Sequence, residues 1–229
     1  MRVLLTNDDG IHAPGLHALE SAVRQIGWEP VIVAPAHEQS QCGHRVTTHQ
    51  ALKVEQQAPN RHAVHGTPAD CVRIALFALD LRPDLVLSGV NAGGNMGQDI
   101  VISGTVAAAR EAAYHGLRSM ALSHYMIRSL ALDWARTAHW IAAIVSETHA
   151  RQQSERSFWN INLPHLPPES AALPPRLLCQ PARSPLNVSF QLDEHGYLYN
   201  ASYASRPRDP GSDVEACFAG NVAVSLLHV

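Results

Sequence analysis

RVLLTNDDGIHAPG, residues 2–15, joins a short apolar run to a polar turn that leads into a helix. The nearly continuous apolar run RVLLT is typical of a strand that is buried on both faces. Apolar residues then recur at helical spacing from Leu16 to Ile26, and Gly27 ends the helix. A buried strand that a turn connects to an amphipathic helix predicts the first half of a βαβ unit.

The same alternation continues along the chain. We expect further buried strands at residues 30–34, 84–87 and 119–123. A helix capped by Thr67 should run to about residue 81, and helices should also start at Ser103 and near Trp134. This pattern predicts an α/β fold in which helices flank a mostly parallel sheet.

The C-terminal part has a different pattern. Residues 158–163 favour one more strand, and the proline-rich residues 164–185 favour an ordered loop. Residues 188–203 are typical of a hairpin, and residues 221–229 of a final strand. A smaller hairpin is expected over residues 51–66. We predict one domain, with an α/β core over about residues 1–163 and a β-rich extension over about residues 164–229.

Composition excludes several classes of protein. The 229 residues carry a net charge of −3 with no basic run, which disfavours nucleic-acid binding. No membrane span or targeting signal is seen, and the four cysteines have no CxxC spacing, so a reducing cytoplasm is the expected setting. The only lysine, Lys53, does not follow a glycine-rich loop, which excludes a P-loop.

Three polar loops should meet where the predicted strands end. They comprise residues 7–15, 35–45 and 88–105. Ligands of open parallel sheets bind beyond the carboxyl ends of the strands. We therefore expect the chemistry of this protein at the meeting point of the three loops.

The first two loops hold candidate metal ligands. Adjacent carboxylates such as Asp8 and Asp9 repel each other unless a cation neutralises them, although an Asp-Gly turn with a solvated carboxylate is the simpler alternative. Ser40 in the second loop is either a weak oxygen ligand or a helix cap. A serine in a loop is commonplace, which favours the second interpretation of Ser40.

The third loop predicts an anion site. It is dense in glycine, and Asn91 and Asn95 add neutral polar groups. Ser103, Gly104 and Thr105 then start a helix whose free N–H groups and dipole suit phosphate. A flexible loop with a glycine-permitted cap is the alternative. Carboxylates facing such a phosphate cradle favour Mg²⁺ or Mn²⁺ and the hydrolysis of a phosphomonoester.

Four blocks of the chain resemble the SurE survival-protein family: LLTNDDGIHAPGL, VIVAPAHEQSQCGHRVTTH, GTPADCV and DLVLSGVNAGGNMGQDIVISGTVAAAREA. The resemblance covers nearly the whole chain, and its first and last blocks are long and specific. It implies a Rossmann-like core with a β-rich extension, assembled as a homodimer or homotetramer. It also implies a metal-dependent nucleotidase that hydrolyses nucleoside 5′- or 3′-monophosphates and short polyphosphate.

The resemblance also implies which residues act. The family's ligands of a divalent metal fall on Asp8, Asp9, Ser40 and Asn91, and either aspartate could orient or deprotonate the attacking water. The family's phosphate contacts fall on four further residues: Asn95, Ser103, Gly104 and Thr105.

The chain departs from the family near this site. Gln41 and Arg45 replace small residues, and Ile102 replaces an aromatic residue or histidine. The chain also ends at residue 229, where many relatives continue into a helical segment. We expect effects on rate, substrate choice or assembly, but the four metal-ligand positions are intact.

Three other classes of protein fit less well. A phosphotransfer receiver needs an aspartate and a lysine where this chain has Asn91 and no lysine, and a serine hydrolase needs a GxSxG elbow that is missing. A non-catalytic nucleotide-binding or phosphate-binding regulatory protein is the remaining alternative.

Overall fold

The computed structural model describes residues 1–200 and 203–229, and it has a large sheet with helices on both faces. Residues 201 and 202, at the end of the predicted hairpin, lie outside the described residues. The strands are β1 (Arg2–Thr6), β2 (Glu29–Pro35), β3 (Val54–Ala58), β4 (Arg61–Val64), β5 (Leu85–Ala92), β6 (Ser119–His124), β7 (Ser157–Leu163), β8 (Arg176–Leu178), β9 (Ser189–Asp193), β10 (Gly196–Asn200) and β11 (Val222–His228). The helices are α1 (Pro14–Gln25), α2 (Pro68–Arg73), α3 (Asp99–Ile102), α4 (Gly104–Tyr114), α5 (Trp134–Ala150) and α6 (Asp213–Phe218).

Nine of these strands form one sheet in the order β3-β4-β2-β1-β5-β6-β7-β11-β8. All pairs from β4 to β7 in this order are parallel, as are β11 and β8, whereas β3–β4 and β7–β11 are antiparallel. The predicted mostly parallel sheet flanked by helices is confirmed. The hairpin β9–β10 forms a two-stranded sheet of its own.

The central strand β1 is buried on both faces, as its sequence predicts. Leu5 packs with Leu16 of α1 and Ile141 of α5, whereas its neighbour Leu4 packs with Val72 of α2 on the opposite face. All five side chains are fully buried. Each contributes about 1.5–3 kcal/mol of hydrophobic stabilisation, so the two helical layers hold the sheet in place.

The predicted helix over residues 67–81 is interrupted. Thr67 caps α2 as predicted, through a reciprocal pair of hydrogen bonds with Asp70, but the α-helix ends at Arg73. A π-helical turn then covers Ile74–Ala78, in which the Leu79 N–H donates to the Ile74 carbonyl.

Two elements in the C-terminal part differ from the sequence prediction. The short strand β8 lies inside the stretch predicted as a loop, because its backbone pairs with β11, a partner more than 40 positions away. The helix α6 was also missed. Its start, Ser212-Asp213-Val214-Glu215, has the spacing of a capping box, and the Ser212 hydroxyl accepts from the Glu215 N–H.

Candidate active site

A pocket of about 320 Å³ opens where β1, β2 and β5 end, and all three polar loops contribute to it. It lies beyond the carboxyl ends of the parallel strands, where ligands of such sheets bind. It is lined by Asp8, Asp9, Glu38, Ser40, Gln41, Asn91, Ala92, Gly94, Asn95, Asp99, Ile102 and Ser103.

Asp8 is buried between the end of β1 and the start of α4. Its Oδ1 accepts a hydrogen bond from the Thr105 hydroxyl. A side chain at Gly104 would place its Cβ 2.9 Å from both Asp8 Cβ and Cys42 Sγ, so any larger residue must displace one of them. Burial raises the pKa of Asp8, although the hydrogen bond from Thr105 opposes this shift.

Asp9 is more open to the pocket than Asp8. Its Oδ2 accepts a long hydrogen bond of 3.4 Å from the Ala92 N–H. Burial and the neighbouring charge of Asp8 raise the pKa of Asp9 to about 6. Within the described ranges neither aspartate has an ion pair with a basic side chain. Two such carboxylates are typical of a site that a cation completes.

Two neutral oxygen groups face the same pocket. Asn91 Nδ2 donates to the Gly93 carbonyl at 2.8 Å, so Oδ1 is the atom left to act as a ligand. The Ser40 hydroxyl donates to Glu38 Oε1 at 2.5 Å, which leaves the lone pairs of Ser40 Oγ available. Carboxylate, amide and hydroxyl oxygens together suit a hard cation such as Mg²⁺ or Mn²⁺.

Asn95 is held in place by three strand residues. Its Nδ2 donates to Ser123 Oγ of β6 at 2.8 Å, and its N–H donates to Asn162 Oδ1 of β7 at 2.8 Å. Asn160 Nδ2 and Asn162 Nδ2 donate to the Asn95 carbonyl at 2.9 and 3.1 Å. Sequence reasoning missed all three partners. The available signal was a pair of asparagines at strand spacing inside the buried run FWNINL.

The residues predicted to hold phosphate have different surroundings. Ser103 lines the pocket, and its Oγ accepts the Val106 N–H at 3.1 Å, which makes it the N-cap of α4. Thr105 is fully buried, and its hydroxyl is engaged with Asp8. Neither Gly104 nor Thr105 is among the residues that line the pocket.

A model of the family described as "Survival protein SurE" matches residues 3–181 of the chain. The chain belongs to the SurE family. A Synechocystis sp. relative is 46% identical over 230 residues, which cover 100% of both chains. The 5′-nucleotidase SurE of Citrifermentans bemidjiense is 39% identical over 234 residues, covering 100% of this chain and 93% of the relative. The crystal structure of the SurE protein from Aquifex aeolicus superposes with a TM-score of 0.86 and 31% identity, covering 100% of this chain and 93% of that chain.

Of the three residues expected to depart from the family pattern, two line the pocket. Gln41, with a left-handed φ of 59°, and the largely exposed Ile102 line it. Arg45 does not line the pocket. Its Nη2 donates instead to Gln39 Oε1 at 3.2 Å. Lys53 lies elsewhere and pairs with Glu55.

Two acidic residues of this SurE site were not predicted as site residues. Glu38 accepts a hydrogen bond from the Ser40 hydroxyl, and Asp99 Oδ2 forms an ion pair with Arg206 Nη1 at 2.6 Å. No cluster of three His, Cys, Asp or Glu side chains with metal-binding geometry occurs in residues 1–200 and 203–229. The four residues predicted as metal ligands include only two of these types, Asp8 and Asp9, beside Ser40 and Asn91. No helix in the described part of the chain is long and apolar enough to cross a membrane.

Proposed function

We propose that this SurE protein is a metal-dependent 5′-nucleotidase that hydrolyses nucleoside 5′-monophosphates to nucleoside and phosphate. One observation carries the proposal: the buried Asp8 and the half-buried Asp9 line a polar pocket, and neither has a basic partner among the described residues. Such a pair needs a cation, and a cation beside a helix start is the arrangement that phosphoryl transfer uses. The name of the C. bemidjiense relative, 5′-nucleotidase SurE, supports the same activity.

Asp8, Asp9, Ser40 and Asn91 are the proposed ligands of one Mg²⁺ or Mn²⁺ ion. When bound, such an ion polarises a phosphoryl oxygen and makes water a better nucleophile. The short bond to Glu38 orients the Ser40 hydroxyl so that its lone pairs are presented to a ligand. The bond from Asn91 Nδ2 to Gly93 does the same for Asn91 Oδ1.

The proposed phosphate-binding residues have two different roles. They are Asn95, Ser103, Gly104 and Thr105. Asn95 and Ser103 line the pocket. The Ser103 oxygen accepts the Val106 N–H, and its hydroxyl proton is still free to be donated to a phosphate oxygen. Gly104 and Thr105 bring the positive end of α4 close to the pocket and fix the Asp8 carboxylate.

Asp8 and Asp9 are also the proposed catalytic residues, since a carboxylate that faces the pocket can orient or deprotonate water. Asp9 is the better candidate for proton transfer, because Asp8 Oδ1 already accepts the Thr105 hydroxyl.

Phosphate release from AMP tests the proposal. We expect release with added Mn²⁺ or Mg²⁺, loss of release on adding EDTA, and recovery when excess metal is returned. A panel of 5′- and 3′-monophosphates and short polyphosphate, run with both metals, then defines the substrate range. Metal binding without release from any of these substrates would instead identify a non-catalytic nucleotide-binding regulatory protein.

The hairpin β9–β10 supports a further part of the proposal, assembly into a homodimer or homotetramer. Five of its apolar side chains are more than half exposed, namely Phe190, Leu192, Tyr197, Leu198 and Tyr199. Apolar surface of this kind marks an interaction site. We expect sedimentation to show a dimer or tetramer that Leu192→Ser with Tyr197→Ser weakens. An unchanged assembly would exclude the hairpin as its interface, and a wild-type monomer would contradict the assembly itself. A cytoplasmic setting is proposed as well.

A further inference from the structure

The segment after the hairpin crosses the glycine-rich loop that carries Asn95. Tyr203 Oη donates to the Gly94 carbonyl at 3.2 Å, on one side of Asn95. On the other side, the fully buried carboxylate of Asp213 accepts the Gly97 N–H at 2.9 Å.

Arg206 lies between these two contacts. Its Nη2 donates to the Met96 carbonyl at 3.1 Å, its Nη1 pairs with Asp99 Oδ2 at 2.6 Å, and its guanidinium lies 4.7 Å from the centre of the Tyr203 ring. Its side chain is only 1% exposed. We call Tyr203, Arg206 and Asp213 the C-terminal clamp, because together they hold residues 94–99 from one side.

The ion pair between Arg206 and Asp99 also affects the charge of the pocket. Four carboxylates line the pocket, on Asp8, Asp9, Glu38 and Asp99. Among these four carboxylates, only that of Asp99 has an ion pair with a basic residue in the part of the chain that the structure describes. Asp8 and Asp9 are the proposed ligands of a metal ion. Arg206 neutralises Asp99, which lines the same pocket.

We infer that Arg206 is a positioning and charge-balancing residue for the phosphate group of the substrate. It neutralises Asp99, whose unpaired carboxylate would repel a phosphate dianion, and it fixes the loop that presents Asn95. The inference rests on the proposed function, because it assumes that phosphate is the ligand of this pocket. It gives the C-terminal segment a part in substrate binding that the three loops alone do not supply.

Four variants separate the charge effect from loss of structure: Arg206→Met, Arg206→Lys, Asp99→Asn and the double variant Arg206→Met with Asp99→Asn. Arg206→Met leaves Asp99 unpaired, so the KM for AMP should rise about 10–100-fold, as expected for repulsion between charges at short range. Removing the Asp99 charge in the double variant should recover most of that loss. Arg206→Lys keeps the charge but not the fork geometry, and it should fall in between.

The matched control is Arg82→Met. Arg82 is also paired with an aspartate, Asp80, but both side chains are largely exposed and lie outside the pocket. Its KM should equal that of the wild type. A merely structural role for Arg206 would make the double variant no better than Arg206→Met, which would overturn the inference.

Calorimetric binding of inorganic phosphate in the presence of Mn²⁺ gives a second readout that needs no turnover. If the wild type released no phosphate from AMP, the proposed function would fail, whereas the order of phosphate affinities would still test Arg206. Asp99→Asn alone retains Arg206, and it should bind phosphate more tightly than the wild type. This single variant decides the matter if Arg206→Met does not fold. Affinity equal to or weaker than that of the wild type would contradict the charge-balancing role.

Discussion

The Thr105 hydroxyl donates to the Asp8 carboxylate across 97 positions of sequence, and so ties the start of α4 to the end of β1. The Asp8 side chain is therefore held in place. The backbone at Gly104 also lies close beside Asp8, since a Cβ added at Gly104 would be 2.9 Å from the Asp8 Cβ. The helix start that the sequence assigned to phosphate thus has a second task, which is to hold a proposed metal ligand in place.

Thr105→Val tests this second task. The substitution keeps the side-chain shape but leaves a buried carboxylate without its hydroxyl partner, so we expect a loss of about 1–3 kcal/mol in unfolding free energy. Calorimetry should also show weaker Mn²⁺ binding. Thr105→Ser restores the hydroxyl and is the control. Mn²⁺ affinity of Thr105→Val equal to that of the wild type would contradict the role of this bond.

Gly104→Ala tests the close approach of α4 to Asp8. The added methyl group would meet Asp8 Cβ and Cys42 Sγ at 2.9 Å, so it must displace one of them. We expect about 1–3 kcal/mol of destabilisation in chemical denaturation, together with loss of turnover. In a helix free of such contacts the same change stabilises, so a more stable variant with wild-type turnover would refute the predicted crowding.

Asn162→Ala removes one of the strand residues that hold Asn95. The Asn95 N–H would then be buried without its partner, and the Asn95 carbonyl would lose one of its two side-chain donors. We expect the KM for AMP to rise more than kcat falls, because Asn95 is a proposed phosphate contact. Steady-state kinetics measures the two constants separately. A change in unfolding free energy with both kinetic constants unaltered would show that Asn162 serves the fold alone.

Glu111 gives a prediction about pH. Burial would raise the pKa of Glu111, but hydrogen bonds from His44, Arg73 and His115 outweigh it and lower the pKa to about 2. In the unfolded chain the group has its ordinary pKa of 4.5. The carboxylate therefore contributes its full stability above pH 4.5, and this contribution disappears as the pH falls from 4.5 to about 2.

Glu111→Gln removes this contribution. We expect it to lower the unfolding free energy by about 2 kcal/mol at pH 7, a figure reduced for the partly exposed partners. The difference from the wild type should shrink below pH 4.5 in denaturant titrations. Glu194→Gln, at an exposed site, is the matched control. A pH-independent difference would show that packing, not charge, is what the substitution removes.

Much of the fold follows from local sequence pattern. The runs that became β1, β2, β5 and β6 are mainly apolar, and helices separate them along the chain, which favours a parallel sheet buried between helices. The meeting of three loops follows from the same topology, because parallel strands bring their carboxyl ends to one edge. The strand β8 has no such signal, since all three of its residues are exposed and its partner is distant.

The support of the site was harder to predict than its lining. Arg206 contacts Met96 and Asp99 across more than 100 positions, and nothing near Arg206 in the sequence points to the glycine-rich loop. Asn160 and Asn162 did give a signal, because polar residues at strand spacing in an apolar run need buried partners. Side chains that bind a ligand directly cluster in motifs, whereas those that hold them in place are scattered and depend on tertiary contacts.

Asp8 and Asp9 are the proposed ligands of a divalent metal that hydrolysis requires. The most direct measurement is phosphate release from AMP as Mn²⁺ is titrated into the wild type, Asp8→Asn and Asp9→Asn, with folding verified by circular dichroism. We expect a saturable, metal-dependent rate for the wild type and no metal-dependent rate for either folded variant. Near-normal, metal-dependent release by both variants would contradict it.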